Sequence, residues 1–409
     1  MVSEPIIDYS DIEKNDKRLL EYLKKLGKLN PDVNKELFVR NISNKNKDIR
    51  FYAVKNIGKL KDAEYLDILS NLVSEERDSM VKREAVSSIG RMRNQKAIPI
   101  LLETLNDPDP KIVLQAIRAL LCFREDVLIQ NRLKKLSNHS NEIIKDLIIQ
   151  EFKPKNESKD KLNHVESPNY LKNLVVQGDV REILKYVQDE SVHLTFTSPP
   201  YYNARDYSIY TSYKEYLSFL TEVFREVHRI TKEGRFFILN TSPVIIPRTS
   251  RSHSSKRYSI PFDIHPFLIE MGWEFIDDII WLKPEGSSKN RIGGFIQHNK
   301  PLAYKPNLVS EYLMVYRKKT DKLIDWNIKQ YPKSIVEDSL VKDDFNTSNV
   351  WKIFPGYDKV HSAIFPEELC ENIIKLYSYK GDLVFDPFAG SGTFGKSAMK
   401  LGRYFFLTE

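Results

Sequence analysis

Apolar residues in the first part of the chain recur at helical spacing, and the pattern itself repeats. The stretch Asp48 to Gly58 aligns with Ser79 to Gly90 and then with Pro110 to Leu120. Ala53, Ala85 and Ala116 lie 32 and 31 residues apart, and Ile57, Ile89 and Leu120 keep those intervals. Each unit runs on into a second apolar stretch such as Ile98 to Leu105, and Asp107-Pro108-Asp109-Pro110 punctuates a unit boundary. A helix pair of this length cannot bury its own apolar face, so the repeat predicts a stacked helical array over residues 1–152. Residues 153–170 are polar with interspersed prolines and read as a linker. From residue 171 to 409 the period changes. Leu174–Gln177, Val192–Phe196, Arg235–Leu239, Trp273–Leu282, Leu383–Phe385 and Tyr404–Leu407 read as strands. Between them Val180–Gln188, Tyr213–Thr231, Ile264–Met271, Pro366–Tyr379 and Gly395–Leu401 carry helical spacing. Strands alternating with helices predict an α/β unit with a mostly parallel sheet covered on both faces.

Composition bounds this picture. The chain has 409 residues, 41% hydrophobic and 29% charged, as in ordinary globular proteins. No apolar run reaches the ~18 residues of a membrane span. The first residues carry acids and no basic-then-apolar pattern, which reads as no signal peptide. Cys122 and Cys370 are isolated in apolar helical contexts and are expected to be buried free thiols, which suits a cytoplasmic protein. The net charge of +7 is modest, but it is unevenly spread. Lys283 to Lys333 holds eleven Lys/Arg against four Asp/Glu, and Ser242 to Phe262 holds four basic residues and no acid. Such local excess suits a polyanion. Gly286–Pro306 is rich in Gly, Asn and Lys and reads as a loop.

Two motifs carry chemistry. The first in the argument is Asp386-Pro387-Phe388-Ala389-Gly390-Ser391-Gly392-Thr393, between a buried strand and a helix. Glycines let the backbone approach a ligand, and a helix N-terminus offers unpaired N–H groups. Glu409 ends the next strand, where an acid suits a ribose diol. The same letters spell a phosphate loop, Gly390 to Ser397 matching G-x-x-x-x-G-K-[ST]. A phosphate-loop enzyme needs a later strand bearing an acid for magnesium, and only twelve residues follow Ser397. A phosphate loop leaves the upstream Asp386-Pro387-Phe388 unexplained.

The second motif is Thr197-Ser198-Pro199-Pro200-Tyr201. Paired prolines fix the backbone and remove its donors, leaving carbonyl acceptors beside the Ser198 hydroxyl. An exocyclic base amine is a poor nucleophile because its lone pair is delocalised. Two acceptors on its hydrogens draw the nitrogen towards tetrahedral geometry and free that pair. Tyr201 offers a face to stack an extruded base. Cytosine-C5 chemistry is disfavoured, since it needs a cysteine nucleophile and neither cysteine lies near a suitable loop. Six of the eight histidines, His193, His228, His253, His265, His298 and His361, show no ligand spacing with cysteine or carboxylate, and no metal is expected.

On these residues the region 171–409 resembles the beta-ordered DNA amino-methyltransferases, in which the catalytic motif precedes the cofactor loop. The resemblance extends to Leu174–Asp179, Trp281-Leu282-Lys283-Pro284, Asn349–Ile353, His361–Pro366 and Gly381-Asp382. It implies a Rossmann-like methyltransferase fold with permuted motif order, its edge strands supplied from both ends of the region. It implies S-adenosyl-L-methionine as cofactor, bordered by Asp179, Thr197, His361, Phe365, Pro366, the loop residues Asp386, Pro387, Phe388, Gly390, Ser391, Gly392 and Thr393, and Glu409. It implies double-stranded DNA as partner and Ser198, Pro199, Pro200 and Tyr201 as the catalytic group. Serine before Pro-Pro-Tyr leans towards N4 of cytosine over N6 of adenine. Family sequences usually continue for a short segment past this acid, a departure that bears on cofactor affinity. The target-recognition region falls at about 284–348. There Lys289, Asn290, Arg291, Gln297 and Lys300, with Arg248, Arg251, Lys256 and Arg257 upstream, are the candidate DNA contacts. The N-terminal units resemble HEAT repeats, with DNA backbone or a protein as partner. An RNA or protein methyltransferase, and a non-catalytic binding platform, are the alternative readings.

Overall fold

The computed structural model describes residues 15–29, 33–153, 164–202, 210–246, 250, 252, 255–287, 301–302, 306, 308–341, 345–356 and 364–409. The chain divides into two compact units, residues 1–158 and 159–409.

The first unit is all helical: α1 (Asp16–Lys25), α2 (Lys35–Asn41), α3 (Lys47–Leu60), α4 (Leu66–Glu75), α5 (Ser79–Met92), α6 (Ile98–Thr104), α7 (Pro110–Leu120), α8 (Val127–Lys134) and α9 (Glu142–Glu151). The repeat is written in the caps as well as in the core. Asn46, Asp78 and Asp109 precede α3, α5 and α7 at the same intervals as the alanines. Each side chain accepts from an amide of its helix's first turn. Ala53, Ala85 and Ala116 are fully buried in one continuous core. Helices α3, α5 and α7 lie side by side at close approach. A Cβ on Gly58 would stand 2.3 Å from Ser88 Oγ and 2.6 Å from Ser88 Cβ, and one on Gly90 would stand 2.7 Å from Ala119 Cβ. Gly58→Ala gains up to ~1 kcal/mol of helix propensity, but the packing clash costs about 1–3 kcal/mol. Urea unfolding of the full chain should show a net loss of stability; an increase would contradict this packing. Cys122 departs from expectation. It is exposed, because it sits six residues after the repeat alanine, on the helix side facing away from the core.

In the second unit β1 (Leu174–Val176), β2 (Val192–Thr197), β3 (Thr231–Thr241), β6 (Trp273–Leu282), β7 (Ser310–Lys318), β8 (Val350–Lys352), β9 (Leu383–Asp386) and β10 (Tyr404–Thr408) form one sheet, in the order β1-β10-β9-β2-β3-β7-β6-β8. A hairpin of β4 (Val244–Ile246) and β5 (Lys256–Tyr258) stands apart. Strands β1, β10, β9, β2 and β3 are mutually parallel. Strand β7, unanticipated from the sequence, runs antiparallel to both β3 and β6.

The two sheet faces follow the period-two rule. Phe237, Leu239, Leu383 and Phe385 pack with residues of α10 (Val180–Leu184), α11 (Tyr213–Ile230) and α12 (Ile260–Glu270). Ile238 and Val384 face the other way, onto α15 (Glu367–Tyr377) and α16 (Thr393–Lys400). Two short helices, α13 (Ile324–Lys329) and α14 (Lys333–Asp338), follow β7. The helix expected over 180–188 stops at Leu184, where the following amides switch to three-residue bonds, Lys185 N to Glu182 O, Tyr186 N to Ile183 O and Val187 N to Leu184 O. The helix expected from Ile264 begins at Ile260, with Pro261 in its first turn, where a missing N–H costs nothing.

Candidate active site

The carboxyl ends of β2, β9, β10 and β1 converge, and both motifs lie there. Thr197 Oγ1, the last side chain of β2, donates to Asp386 Oδ1 at the end of β9 over 2.6 Å. The Phe388 amide donates to the same oxygen at 3.0 Å, which folds the loop back on its own aspartate. Asp386 is buried, and its Oδ2 has no partner among the described residues. Burial pushes its carboxyl up to about 7; the Thr197 and Phe388 hydrogen bonds pull the other way, and the Glu409 charge adds to the rise.

The loop is stitched to β10. Ala389 N donates to Thr408 O at 3.0 Å, Thr408 Oγ1 to Pro387 O at 2.8 Å, and Gly390 N to Glu409 Oε2 at 2.7 Å. Gly390 and Gly392 have φ of 52° and 74°, a region that side chains with a Cβ rarely enter. Gly392 caps α16 with no side-chain bond, so the first turn keeps its amides for something else. Ser391 and Thr393 hydroxyls meet at 3.0 Å. Glu409 also closes the gap to β1: Gly178 N donates to Glu409 O at 2.9 Å, and Glu409 N to Val176 O at 3.2 Å. The Asp179 carboxylate beside this junction caps α10 and pairs with Arg181 at 2.7 Å. Phe365 stacks on Phe196 at 4.5 Å, and Phe394 meets the same ring edge-on, so Phe365 and the buried Pro366 flank the loop's helix. His361 lies outside the described residues.

Beside the Ser198 motif the structure adds a polar network that the sequence did not reveal. Asn240 Nδ2, near the end of β3, donates to Ser198 Oγ at 3.2 Å and to Glu311 Oε2 at 2.6 Å. The Tyr201 hydroxyl donates to Glu311 Oε2 at 3.1 Å, and Lys283 pairs with the other Glu311 oxygen. Glu311 accepts only, which fixes the Asn240 amide orientation and leaves Asn240 Oδ1 buried without a partner among the described residues. Burial, with Glu311 alongside, pushes the Tyr201 phenol well up, so it stays a neutral donor. The hairpin β4–β5 is tied to the motif through Tyr258 against Tyr202, ring centroids 4.9 Å apart, which brings exposed Lys256 and Arg257 to this end of the sheet. Of the other predicted DNA contacts, Arg248, Arg251, Lys289, Asn290, Arg291, Gln297 and Lys300 lie outside the described residues.

The phosphate-loop spelling has a structural answer. Gly395 lies inside α16 because a Cβ there would meet Leu407 Cδ1 at 2.7 Å. Lys396 is exposed and reaches Glu367 on α15 at 3.9 Å, away from the loop.

A family model described as DNA methylase matches residues 192–409, more than half of the sequence. The chain belongs to the DNA methylase family. A second model, HEAT repeats, matches residues 22–122. Among curated relatives of this methylase, the type II beta methyltransferase M.BslI of Bacillus sp. (strain NEB-606) is 29% identical over 252 residues, 59% of this chain and 26% of that protein. M.MwoI of Methanothermobacter wolfeii is 28% identical over 56% of this chain and 31% of its own length. M.ScaI of Streptomyces caespitosus is 30% identical over 56% of this chain and 74% of its own. The chain thus spans about a quarter to a third of the first two relatives. Among solved structures, a protein of Thermus thermophilus described as a DNA modification methylase aligns with TM-score 0.46 at 25% identity over 60% of this chain and 89% of that one. The PvuII cytosine-N4-specific DNA methyltransferase aligns with TM-score 0.45 at 21% identity over 60% and 83%.

A second polar cluster of the methylase unit sits at the opposite end of the strands. His164, His193 and Asp382 bring ligand-type atoms within 4.8 Å of one another. Asp382 is already engaged there: it pairs with Arg235 and accepts from Tyr331 Oη at 2.6 Å and Tyr379 N at 2.8 Å. His193 Nδ1 accepts from Leu383 N at 3.1 Å, which puts the ring proton on Nε2, facing Asp382. The guanidinium supplies the positive charge that this carboxylate needs, and the cluster reads as a structural ion pair. Among the described residues no helix is long and apolar enough to cross a membrane.

Proposed function

We propose that the chain is an S-adenosyl-L-methionine-dependent DNA methyltransferase acting on the exocyclic N4 of cytosine in duplex DNA. The observation that carries the reading is the Thr197–Asp386 hydrogen bond, which locks the Ser-Pro-Pro-Tyr turn and the glycine loop at the ends of adjacent parallel strands.

The loop fits this cofactor on its own chemistry. Asp386 presents a buried carboxylate oxygen with no partner among the described residues, which a cationic group would satisfy, and the cofactor carries both an ammonium and a sulfonium. The Gly390 to Gly392 turn lets the backbone approach closely, the first turn of α16 offers amides that no side chain caps, and Glu409, with Asp179 nearby, offers carboxylate acceptors for a ribose. Phe365, Pro366, Pro387 and Phe388 supply apolar walls. When bound, the cofactor supplies an electrophilic methyl group. The chain's own part is to prepare the amine. The Ser198 hydroxyl and the carbonyl oxygens of the Pro199-Pro200 turn accept from its hydrogens, and Tyr201, held by Glu311, stacks the extruded base. Asn240 and Glu311 position Ser198 and Tyr201. Lys256 and Arg257 meet phosphates.

The test is labelled methyl transfer to duplex DNA, followed by mass analysis of the nucleosides. The expected product is N4-methylcytosine, with transfer reduced in Ser198→Ala. N6-methyladenine would overturn the base assignment and keep the reaction class. Transfer to RNA alone, or no transfer with Ser198→Ala doing no worse, would overturn the class itself.

A further inference from the structure

The outer face of the repeat layer is strongly polarised. Relative to each repeat alanine, the positions five and two before it and two and six after it fall at i, i+3, i+7 and i+11, one stripe of a helix. The core residues of α3, α5 and α7 occupy the opposite side, including Ile49, Val81 and Ile112 four before each alanine. The three stripes hold Lys55, Lys59, Arg83, Arg91, Lys111 and Arg118, and Asp48 as their single acid. Helices α4 and α6, in the other layer, carry Asp67, Glu75 and Glu103 and no Lys or Arg.

This positive charge is largely uncompensated within the unit. The ion pairs of α3 and α5 use Lys47, Arg50, Lys82 and Arg91. Among the described residues none forms with Lys55, Lys59, Arg83, Lys111 or Arg118. The Lys55 ammonium instead lies 5.6 Å from the Tyr52 ring, with Lys24 from α1 5.5 Å from that same ring. Lys59 is held below its ordinary range by burial and by the neighbouring charges of Lys55 and Arg91. Like charges gathered this way cost free energy until a polyanion neutralises them.

We infer that this stripe is a sequence-independent docking surface for the phosphate backbone of duplex DNA. The cations are spread across three adjacent helices and converge on no pocket, which matches a uniformly charged rod better than a discrete anion. Helices in such a layer stand about 8–10 Å apart, and duplex DNA carries one charge per about 1.7 Å of axis. The choice of DNA as the polyanion rests on membership of the methylase family. A second, weak site on the same chain raises the effective concentration of duplex at the first.

The experiment is fluorescence anisotropy of the full chain on a labelled non-target duplex, without cofactor, across a salt series. The comparison is the triple variant Lys55→Gln/Arg83→Gln/Arg118→Gln. Each lost phosphate contact should reduce the slope of log K against log salt by about 0.9, so the triple variant should lose about 2–3 from the slope and at least tenfold in affinity at low salt. Asp67→Asn/Glu75→Gln in the other layer should leave the slope unchanged, and circular dichroism melts should show all variants folded. An unchanged slope in the triple variant overturns the inference. So does tighter binding of RNA or polyglutamate than of duplex through the same residues, which would mark another partner. Because the readout needs no methyl transfer, it stands or falls separately from the catalytic reading.

Discussion

Replacing Asp386 by asparagine should remove a fall in stability expected of the wild-type chain between pH 5 and pH 8. The carboxyl ionises near 3.8 in the unfolded chain and at about 7 in the folded one, chiefly because it is buried. The folded state therefore holds this proton more tightly. The stabilisation is complete below about pH 4 and is lost as pH rises through about 7. A shift of this size corresponds to about 4 kcal/mol in all, of which about 3 kcal/mol falls between pH 5 and pH 8. Asparagine keeps the shape and an acceptor for Thr197 and the Phe388 amide, and it cannot ionise. Urea midpoints at several pH values should converge or cross, with Asp386→Asn at least as stable as wild type at pH 8. Parallel curves would overturn the assignment. The same carboxylate should make cofactor binding pH-dependent. Calorimetry should show affinity rising up to tenfold per pH unit below 7 in wild type. In the variant the affinity should be weak and nearly flat with pH.

Tyr201→Ala should reduce kcat/KM for methyl transfer by about 5- to 150-fold, the equivalent of about 1–3 kcal/mol for losing a stacking face. Cofactor affinity should be unchanged, since Tyr201 touches Glu311 and the loop is held from β9 and β10. Tyr201→Phe separates the two roles of the side chain. It keeps the ring and loses the hydroxyl bond to Glu311, for about 1 kcal/mol, a loss of at most about tenfold. Steady-state kinetics and cofactor titration on both variants check this. A Tyr201→Ala chain that binds cofactor poorly yet turns over normally would contradict the placement of the base beside this residue.

Strands β2 and β9 were legible because each is a short apolar run closed by a turn, β10 because it is one opened by the turn at Gly402, and the repeat helices because their alanines and caps keep one period. Strand β7 was not. Its buried centre, Leu313-Met314-Val315-Tyr316, is apolar on both faces, so it shows no alternation. Its ends carry Glu311, Arg317 and Lys318, which merged it with the surrounding basic stretch. Buried Arg317 has internal acceptors, Gly234 O at 3.0 Å and Asn327 Oδ1 at 3.1 Å, that no local pattern announces. The site shows the same division. Ser198 to Tyr201 and Asp386 to Thr393 are contiguous motifs and could be read directly. Glu311 acquires its role only when antiparallel pairing sets Thr241 opposite Tyr312, bringing it to a tyrosine 110 residues earlier in the chain. The exposed Cys122 shows how apolar neighbours mislead when the helix face is not assigned.

The pairing of β1 with β10 joins Leu174 to Phe406, segments separated by most of the second unit. During synthesis the repeats can fold as they emerge, since their contacts are local. Strand β1 has no partner until roughly 230 further residues have been made. Until then its edge is open, and Gly178 lacks the Glu409 carbonyl that receives its amide. The proposed cofactor site is therefore among the last features to form on a nascent chain. Ligand added during translation should protect only chains that already carry β10.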